Sequence, residues 1–288
     1  MITLFDDDIL YSKDKTRKYR FRTDQGDLFE AATVFFNDID NAPVNICISS
    51  QIGCNFSCSF CVCGNKKFIR NLTVDEIIQQ ISLIFENDRN LSKNKFEVTY
   101  MGSGDPLDNF DAVIESMLHI PNYQNLSRIN ISTIVPSINK EKSMLSKVTK
   151  KIHLQFSLNF VNDALRLNYL KNKNLPSIEE SLNFIDDLAH IINDNPCINY
   201  ILFDNINDSI KDAKLLCEYA NKINAYLKIS EYVPIINAPN KFKLKPSLNG
   251  DAFCAEIVKQ NVMHKKFKSK GIDIYAACGH FLSDVEFN

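Results

Sequence analysis

From Asn45 onward, short runs of β-branched and aromatic residues alternate with longer amphipathic segments. This alternation constrains the fold more than any other feature, because it is typical of βα units around a parallel sheet. Six such strands, each followed by a helix or a helix-sized connection, predict an α/β fold with a partial (β/α)6 barrel of the TIM type. The functional loops of such a barrel lie at the carboxyl ends of its strands. The candidate strands are Ile46–Ser50, Phe96–Met101, Ile129–Thr133, Ile152–Leu158, Ile198–Phe203 and Leu227–Tyr232.

The intervening helices are indicated by capping residues and by helical periodicity. Thr73-Val74-Asp75-Glu76 is a capping box, and the apolar residues Ile77, Ile78, Ile81 and Ile84 recur after it near helical spacing. The other predicted helices are Phe110–His119, Ser177–Ile192, Ser209–Asn224 and Gly250–Lys270.

Two further strand-like runs precede the barrel. Tyr19–Arg22 and Phe29–Phe36 flank the turn sequence Asp24-Gln25-Gly26-Asp27, which predicts a β-hairpin packed onto the barrel. The sequence therefore predicts an N-terminal β-hairpin extension over residues 1–44, and a barrel with a C-terminal cysteine-bearing segment over residues 45–288.

Composition narrows the cellular setting. The first ten residues are acidic, and no apolar run approaches the ~18 residues that span a bilayer, so we expect a cytoplasmic protein without membrane contact. Nine cysteines without a secretory signal favour metal binding or redox chemistry over a disulfide framework. The formal net charge of −2 provides no overall positive field for nucleic acid, although local basic patches remain compatible with an RNA substrate.

Three cysteines form the most specific motif. Cys54, Cys58 and Cys61 have C-x3-C-x2-C spacing in the loop after the first barrel strand. Three thiolates hold three irons of a [4Fe–4S] cubane and leave the fourth iron open, which implies chemistry at the cluster. The alternatives are a structural zinc site with Cys63 as its fourth ligand, or a chance group of buried cysteines. The Cys61-x-Cys63 pair does not have the usual spacing of a zinc knuckle.

This cysteine motif, with Phe60 before its last cysteine, resembles that of the radical S-adenosylmethionine (SAM) superfamily. Other segments resemble the RlmN/Cfr family of RNA adenine methyltransferases, and together they cover nearly the whole chain. The matching segments are Cys47–Cys54, Phe68–Thr73, the glycine-rich turn Met101–Leu107, Ser157-Leu158-Asn159, Asn207-Asp208-Ser209 and Asp273–Gly279.

The resemblance implies a set of residues that line the SAM site. Gly102 and Gly104 would allow backbone amides to approach the methionine moiety, and Asp105 would accept a hydrogen bond from its ammonium group. The glycine-rich segment is equally compatible with an ordinary β-turn, and Asn207-Asp208 with a helix N-cap. The implied SAM-site residues are Gly104, Asp105, Ser132, Ser157, Asn159 and Asn207.

The resemblance also implies catalytic roles for Cys278 and Cys47. Cys278 would take a methyl group from one SAM as a thiolate, and a 5′-deoxyadenosyl radical from a second SAM would abstract hydrogen from that methyl. The methylene radical would then add to an sp² carbon of adenine in RNA. Cys47 would release the product by forming a disulfide with Cys278, which must be reduced before the next turnover. Such chemistry implies an electron donor of the flavodoxin type or another low-potential donor.

The sequence departs from the family pattern at several positions. Asp105 and Asn159 replace a glutamate and a histidine, and a family glutamate on the hairpin aligns with Ala32, two residues from Glu30. The residues before Tyr19 are too few for the helical accessory domain that usually precedes the hairpin. The same chemistry on a small molecule or another polymer is therefore an alternative, and a zinc-binding module is a third. Candidate RNA contacts are Lys13–Arg20, Lys241–Lys245 and His264–Lys270.

Overall fold

The computed structural model describes residues 1–36, 42–121, 123–234 and 244–282. The strands in these ranges are β1 (Ile2–Thr3), β2 (Ile9–Tyr11), β3 (Arg17–Thr23), β4 (Leu28–Val34), β5 (Val44–Ile48), β6 (Gln51–Ile52), β7 (Arg70–Asn71), β8 (Phe96–Tyr100), β9 (Leu126–Thr133), β10 (Ile152–Ser157), β11 (Cys197–Leu202), β12 (Tyr226–Glu231) and β13 (His264–Phe267). The α-helices are α1 (Val74–Asn87), α2 (Phe110–His119), α3 (Asp163–Leu170), α4 (Ile178–Ile192), α5 (Ile210–Lys222) and α6 (Gly250–Lys259).

One large sheet organises the molecule, with strand order β1-β3-β4-β5-β8-β9-β10-β11-β12-β13 and with β2 paired to β3. All neighbouring strands from β5 to β13 along this order are parallel, as the alternation of strands and helices predicts. The predicted hairpin is present as β3 and β4, and β4 pairs antiparallel with β5. The hairpin therefore extends the sheet at its edge and does not cover one of its faces.

The two faces of the parallel sheet differ in polarity. Alternate residues such as Ile46, Val98 and Ile131 are fully buried in the main hydrophobic core, which also contains the apolar sides of the helices. Their neighbours on the opposite face are polar and join adjacent strands through hydrogen bonds. These bonds run from Asn45 Nδ2 to Thr99 Oγ1 (2.7 Å), from Asn130 Nδ2 to Thr99 Oγ1 (3.0 Å), from Gln155 Nε2 to Ser132 Oγ (2.7 Å) and from Lys228 Nζ to Gln155 Oε1 (3.2 Å).

The sheet also curls toward its polar face. Lys228 on β12 lies close enough to Cys47 on β5 for its charge to act on the thiol, although four strands separate β5 from β12 in the sheet. This curling is the partial barrel that the sequence predicts. The polar face therefore lines an interior on which side chains from distant strands converge.

Capping boxes define the starts of three helices. The Thr73 hydroxyl accepts a hydrogen bond from the Glu76 amide, and the Glu76 carboxylate accepts one from the Thr73 amide. Ser177 and Ser209 begin α4 and α5 in the same way. Ser209 is therefore the N-cap of α5, and the interpretation of Asn207-Asp208 as that cap is wrong. No helix in the described part of the chain is both long enough and apolar enough to cross a bilayer.

Several elements differ from the sequence prediction, including the short strands β1, β2, β6 and β7, which it lacked. The helix predicted over Gly250–Lys270 ends at Lys259, and after Asn261, which has a φ of 55°, the chain continues as β13 parallel to β12. The sequence did not predict α3, whose short length and mixed surface give a weak apolar period. This helix packs beside the cysteine motif, because the Ser59 amide donates to the Tyr169 carbonyl oxygen (2.8 Å).

Candidate functional site

The three-cysteine motif lies in the loop between β6 and β7, beyond the carboxyl end of β5. Two glycines allow this loop to fold back on itself. Gly53 has a φ of 75°, and a Cβ atom there would lie 2.3 Å from the Lys67 carbonyl oxygen. A Cβ atom at Gly64 would lie 2.7 Å from the Cys58 amide nitrogen. Side chains at these positions would open the loop and separate its thiols.

The three thiols of this loop are close enough to influence one another electrostatically. Burial raises the pKa of Cys54 to about 12 and also raises that of Cys58, and the neighbouring charge of Cys61 adds to both effects. A hydrogen bond from the Cys63 side chain and backbone amides at Cys63 and Gly64 lower the pKa of Cys61 to about 7. The loop therefore supplies hydrogen bonds that stabilise a thiolate at one of its three sulfurs.

The donor set of this loop fits an iron–sulfur cluster. All nine cysteines lie within the described residues and all are free thiols. Within residues 1–36, 42–121, 123–234 and 244–282, no three His, Cys, Asp or Glu side chains converge as ligands of a single metal ion. Free thiols at C-x3-C-x2-C spacing, in one loop with amides directed at a sulfur, match the ligands that clusters use.

The C-terminal segment packs directly on the cysteine loop. The Val62 amide donates to the Gly279 carbonyl oxygen (2.6 Å), and the Cys63 thiol donates to the Phe281 carbonyl oxygen (3.4 Å). Gly279 has a φ of 83°, and a Cβ atom there would lie 3.2 Å from the Phe60 carbonyl oxygen. These contacts place Cys278, one residue earlier, beside the loop that carries the three thiols.

Cys278 and Cys47 meet at Met101. The Cys278 Sγ lies 3.7 Å from the Met101 Sδ, and the Met101 amide donates to the Cys47 thiol. Cys47 is on the polar face of β5, half-buried, and Cys278 is accessible to solvent. Burial raises the pKa of both thiols. The positive charge of Lys228 lowers the pKa of each and so offsets part of this effect. The two predicted catalytic cysteines are thus brought together from opposite ends of the chain.

Asp105 is held at the end of the glycine-rich turn. Its Oδ1 accepts from the Thr133 hydroxyl (2.8 Å) and the Leu107 amide (2.9 Å), and its Oδ2 accepts from the Ile134 amide (2.8 Å). Burial nevertheless raises the pKa of Asp105 to about 6. Gly104, with a φ of 92°, packs against Gln51, and a Cβ atom there would lie 2.5 Å from the Gln51 side chain. One acceptor position on Oδ2 remains for a ligand.

Two predicted SAM-site serines are neighbours on the polar face. Ser132 is the penultimate residue of β9 and Ser157 the last residue of β10, and their hydroxyl oxygens are 3.2 Å apart. Ser132 also accepts from the Gln155 amide group (2.7 Å). The pair lies at the carboxyl ends of the strands, on the same edge of the sheet as the glycine-rich turn.

The two predicted SAM-site asparagines hold backbone in place. Asn207 donates to the carbonyl oxygens of Asn159 (2.6 Å) and Ile201 (2.8 Å), and its Oδ1 accepts from the Phe203 amide (2.7 Å). The Asn159 Oδ1 accepts from the Ile201 amide (3.2 Å), and Asn159 itself has a φ of 56°. Both side chains tie the ends of β10 and β11 together.

We expect Asn207→Ala to destabilise the protein by about 3 kcal/mol, because it leaves buried backbone groups without partners. Asn207 is 1% exposed, so water does not replace the lost hydrogen bonds. Urea unfolding followed by circular dichroism would measure the change, with the exposed Asn174→Ala as the control. Unfolding curves that coincide for the two variants would contradict this structural role.

The sequence-based reasoning did not identify Met101 or Lys228. Met101 directly follows β8 at the start of the glycine-rich turn. Residues at the carboxyl ends of barrel strands line the functional site, so this position indicates a site residue. Lys228 is 8% exposed and its Nζ lies 3.9 Å from the centroid of the Phe267 ring, a cation–π contact. Strand alternation places Lys228 on the polar face of β12, and a lysine at such a position indicates a residue of the barrel interior.

Many basic residues in the candidate RNA-binding segments are already paired. Lys18 forms a fully buried ion pair with Glu30 (2.8 Å), and Arg17 pairs with Asp88. In His264–Lys270, Lys266 pairs with Asp251 (2.5 Å) and Lys268 with Glu231 (3.7 Å). Residues 241–243 of the Lys241–Lys245 segment lie outside the described residues. RNA contacts at these segments stay predictions.

Comparison with known proteins identifies the family to which the chain belongs. A family model described as the Radical SAM superfamily matches residues 48–217. A probable dual-specificity RNA methyltransferase RlmN from Thermosipho melanesiensis is 32% identical, with 92% of this chain and 76% of that protein covered. The dual-specificity RNA methyltransferase RlmN of Helicobacter hepaticus is 28% identical, with 96% and 77% covered.

A solved structure extends the agreement to the fold. The crystal structure of a radical SAM methyltransferase from Sphaerobacter thermophilus superimposes with a TM-score of 0.85 at 25% identity, covering 98% of this chain and 81% of that one. The superposition spans the N-terminal hairpin as well as the barrel. The chain therefore belongs to the radical SAM superfamily and, within it, to the family of the RlmN RNA methyltransferases.

Proposed function

We propose that this protein is a radical SAM methyltransferase that methylates an sp² carbon of adenine in RNA, with Cys278 as methyl carrier and Cys47 as resolving thiol. The observation that carries the proposal is the meeting of these two cysteines at Met101, beside the loop of three free thiols. The relatives named as dual-specificity RNA methyltransferases support RNA as the substrate.

In this proposal the cysteine loop and the polar face have separate tasks. Cys54, Cys58 and Cys61 hold a [4Fe–4S] cluster, which when bound supplies the electron for reductive cleavage of SAM. The SAM site is formed by Gly104, Asp105, Ser132 and Ser157 at the carboxyl ends of the strands. Asn159 and Asn207 support that site through the backbone bonds described above.

The two catalytic thiols need different environments. Cys278 must be accessible and ionised to attack the methyl group of SAM. The residue is exposed, and although burial raises the pKa of its thiol, the positive charge of Lys228 acts in favour of the thiolate. Cys47 needs only to reach the Cys278 sulfur when the product leaves. Their disulfide must then be reduced, which suits the cytoplasm. A flavodoxin-type or other low-potential donor would supply the electron to the cluster.

Asp105 gives SAM binding a pH dependence under this proposal. Its pKa is raised to about 6 by burial, so its carboxylate is ionised above that pH and accepts from the ammonium group of SAM. Protonation below pH 6 removes this acceptor. We therefore expect the Kd for SAM to rise about tenfold between pH 7.5 and pH 5, since one pKa unit corresponds to a tenfold change in affinity.

Isothermal titration calorimetry of cluster-loaded protein would measure the Kd for SAM at each pH. The variant Asp105→Asn serves as the comparison. The variant should bind SAM weakly at pH 7.5 and show a nearly flat profile, because its amide does not titrate. A Kd that is constant from pH 7.5 to pH 5 in the unsubstituted protein would exclude Asp105 as the partner of the ammonium group.

Nucleoside analysis of RNA tests the proposed function directly. RNA from cells lacking the gene should lose a methyladenosine that returns when the gene is restored, and should not regain it from a gene encoding Cys278→Ala. Purified protein with SAM and a reductant should install the same modification on RNA from the deletion strain. An unchanged methyladenosine profile would instead indicate a small-molecule or other non-RNA acceptor.

A further inference from the structure

The segment that carries Cys278 is held on its N-terminal side by the loop between β2 and β3. The Gly271 amide donates to Asp14 Oδ2 (2.7 Å). In return, Asp273 accepts from the Ser12 hydroxyl (2.5 Å) and from the Lys13 amide (3.1 Å). A Cβ atom at Gly271 would lie 2.6 Å from the Thr16 side chain, so the two pieces of chain are in close contact.

On its C-terminal side the same segment is held by the hairpin strand β4. The Leu282 amide donates to Glu30 Oε2 (2.7 Å). Glu30 is fully buried and is paired with the equally buried Lys18 (2.8 Å). Glu30 also pairs with Arg20 (3.3 Å). A buried carboxylate with two cationic partners and a bound amide has a narrow choice of geometry. Glu30 thereby fixes the position of Leu282, four residues after Cys278.

The backbone of this segment is strained between the two attachments. Tyr275 and Leu282 have φ values of 53° and 63°, which residues with a side chain rarely adopt. Such conformations persist when the surrounding contacts determine them. Ala32 on β4 and the segment residues Ile274, Ala276 and Phe281 form a small buried cluster beneath it. Hydrogen bonds at both ends and apolar packing in the middle therefore impose the shape of residues 271–282.

We propose that Asp14 and Glu30 are positioning residues that hold Cys278 against Met101 and Cys47. Neither residue contacts the Cys278 sulfur, and each acts on it through a backbone amide of the strained segment. The N-terminal strands are then part of the catalytic apparatus, because they fix the methyl carrier. The inference rests on the proposed function for the roles of the two thiols. Its test depends only on their proximity.

The equilibrium of the Cys47–Cys278 disulfide with glutathione measures that proximity. One glutathione disulfide oxidises the two protein thiols and yields two glutathione thiols and the protein disulfide, so the constant reports the effective concentration of one thiol near the other. Anaerobic, cluster-loaded protein would be equilibrated in glutathione buffers, quenched and digested. Mass spectrometry of the peptides would then quantify this disulfide separately from the other cysteines.

We expect Asp14→Ala to lower this constant by roughly fivefold or more, the factor that corresponds to one lost hydrogen bond. Asp14→Asn should give a smaller decrease, because an asparagine retains one of the two acceptor oxygens. Asp24→Ala is the matched control, since Asp24 is an exposed aspartate in the turn between β3 and β4 and its described hydrogen bond is to the N-terminal amine. The control should keep the unsubstituted value.

Glu30 is tested together with Lys18, so that the fully buried lysine is not left without its partner. The double variant Lys18→Met, Glu30→Met removes both charges and the acceptor of the Leu282 amide, and we expect it to lower the disulfide constant as Asp14→Ala does. If folded Asp14→Ala and the folded double variant both keep the unsubstituted constant, the positioning role is wrong. If the constant falls but the unsubstituted protein methylates no RNA, the proposed function fails and the positioning role stands.

Discussion

Replacement of Cys278 by alanine should abolish methyl transfer to RNA and leave SAM cleavage intact. We expect the methylation rate to fall by at least about 10⁴-fold, the scale seen when a catalytic nucleophile is removed. The Cys278 sulfur is accessible, lies 3.7 Å from Met101 and sits beside the cysteine loop. The other thiols in the described part of the chain are half-buried or buried. Methylated RNA would be measured by mass spectrometry and 5′-deoxyadenosine by liquid chromatography.

Two further substitutions make this result specific. Cys254→Ala makes the same change in α6, where the thiol packs in the main hydrophobic core, and should retain the methylation rate. Cys47→Ala should allow the substrate to become attached to Cys278 but prevent its release, so a covalent protein–RNA adduct should accumulate. Methylation by Cys278→Ala at the unsubstituted rate would exclude Cys278 as the carrier.

The strand and helix pattern of the barrel was predictable because it depends on local sequence. Period-two alternation in β5 and β8 to β12, and capping residues such as Thr73 and Ser177, determine element type within a few residues. The region after α6 was not predictable in this way. His264–Phe267 is rich in lysine, which favours an exposed helix by propensity, and only pairing with β12 makes it a strand.

The candidate site also has one part that local sequence predicts and another that depends on the tertiary fold. The spacing of Cys54, Cys58 and Cys61 is local, so their grouping in one loop follows from the sequence. The proximity of Cys47 to Cys278 depends on how the C-terminal segment returns over the barrel, and the resemblance alone indicated it. The attachments of that segment to Asp14 and Glu30 join residues more than 250 positions apart. No periodicity within one element reports such contacts, which is why the structure was needed to find them.

The roles of Asn159 and Asn207 also depend on contacts that the sequence does not reveal. A motif match places Asn159 and Asn207 at the site but does not reveal which atoms their amides bond. The structure shows that both amide hydrogens of Asn207 and one acceptor position of its Oδ1 are bonded to the backbone of β11 and its neighbours. Motif residues at the end of a strand can thus shape a site by fixing its backbone.

Replacement of Cys61 by alanine should prevent the protein from holding a cluster. Two thiolates remain in the loop, too few to retain the irons of a cubane that already lacks a fourth protein ligand. We expect iron content after anaerobic reconstitution to fall to background and SAM cleavage to fall by at least about 10³-fold, since both depend on the same group. Iron analysis and visible absorbance would measure the first effect, and release of 5′-deoxyadenosine the second.

Cys63→Ala is the matched control, because Cys63 is in the same loop, is buried and bonds to the Phe281 carbonyl oxygen. A three-ligand cluster predicts that this variant keeps its iron, whereas a four-thiolate zinc site requires Cys63 as strongly as Cys61. Loss of metal from both variants, with zinc and no iron in the unsubstituted protein, would reject the radical mechanism. Iron retained in Cys63→Ala and lost in Cys61→Ala would assign the ligands to the C-x3-C-x2-C motif. It would leave Cys63 the role of a hydrogen-bond partner of Cys61.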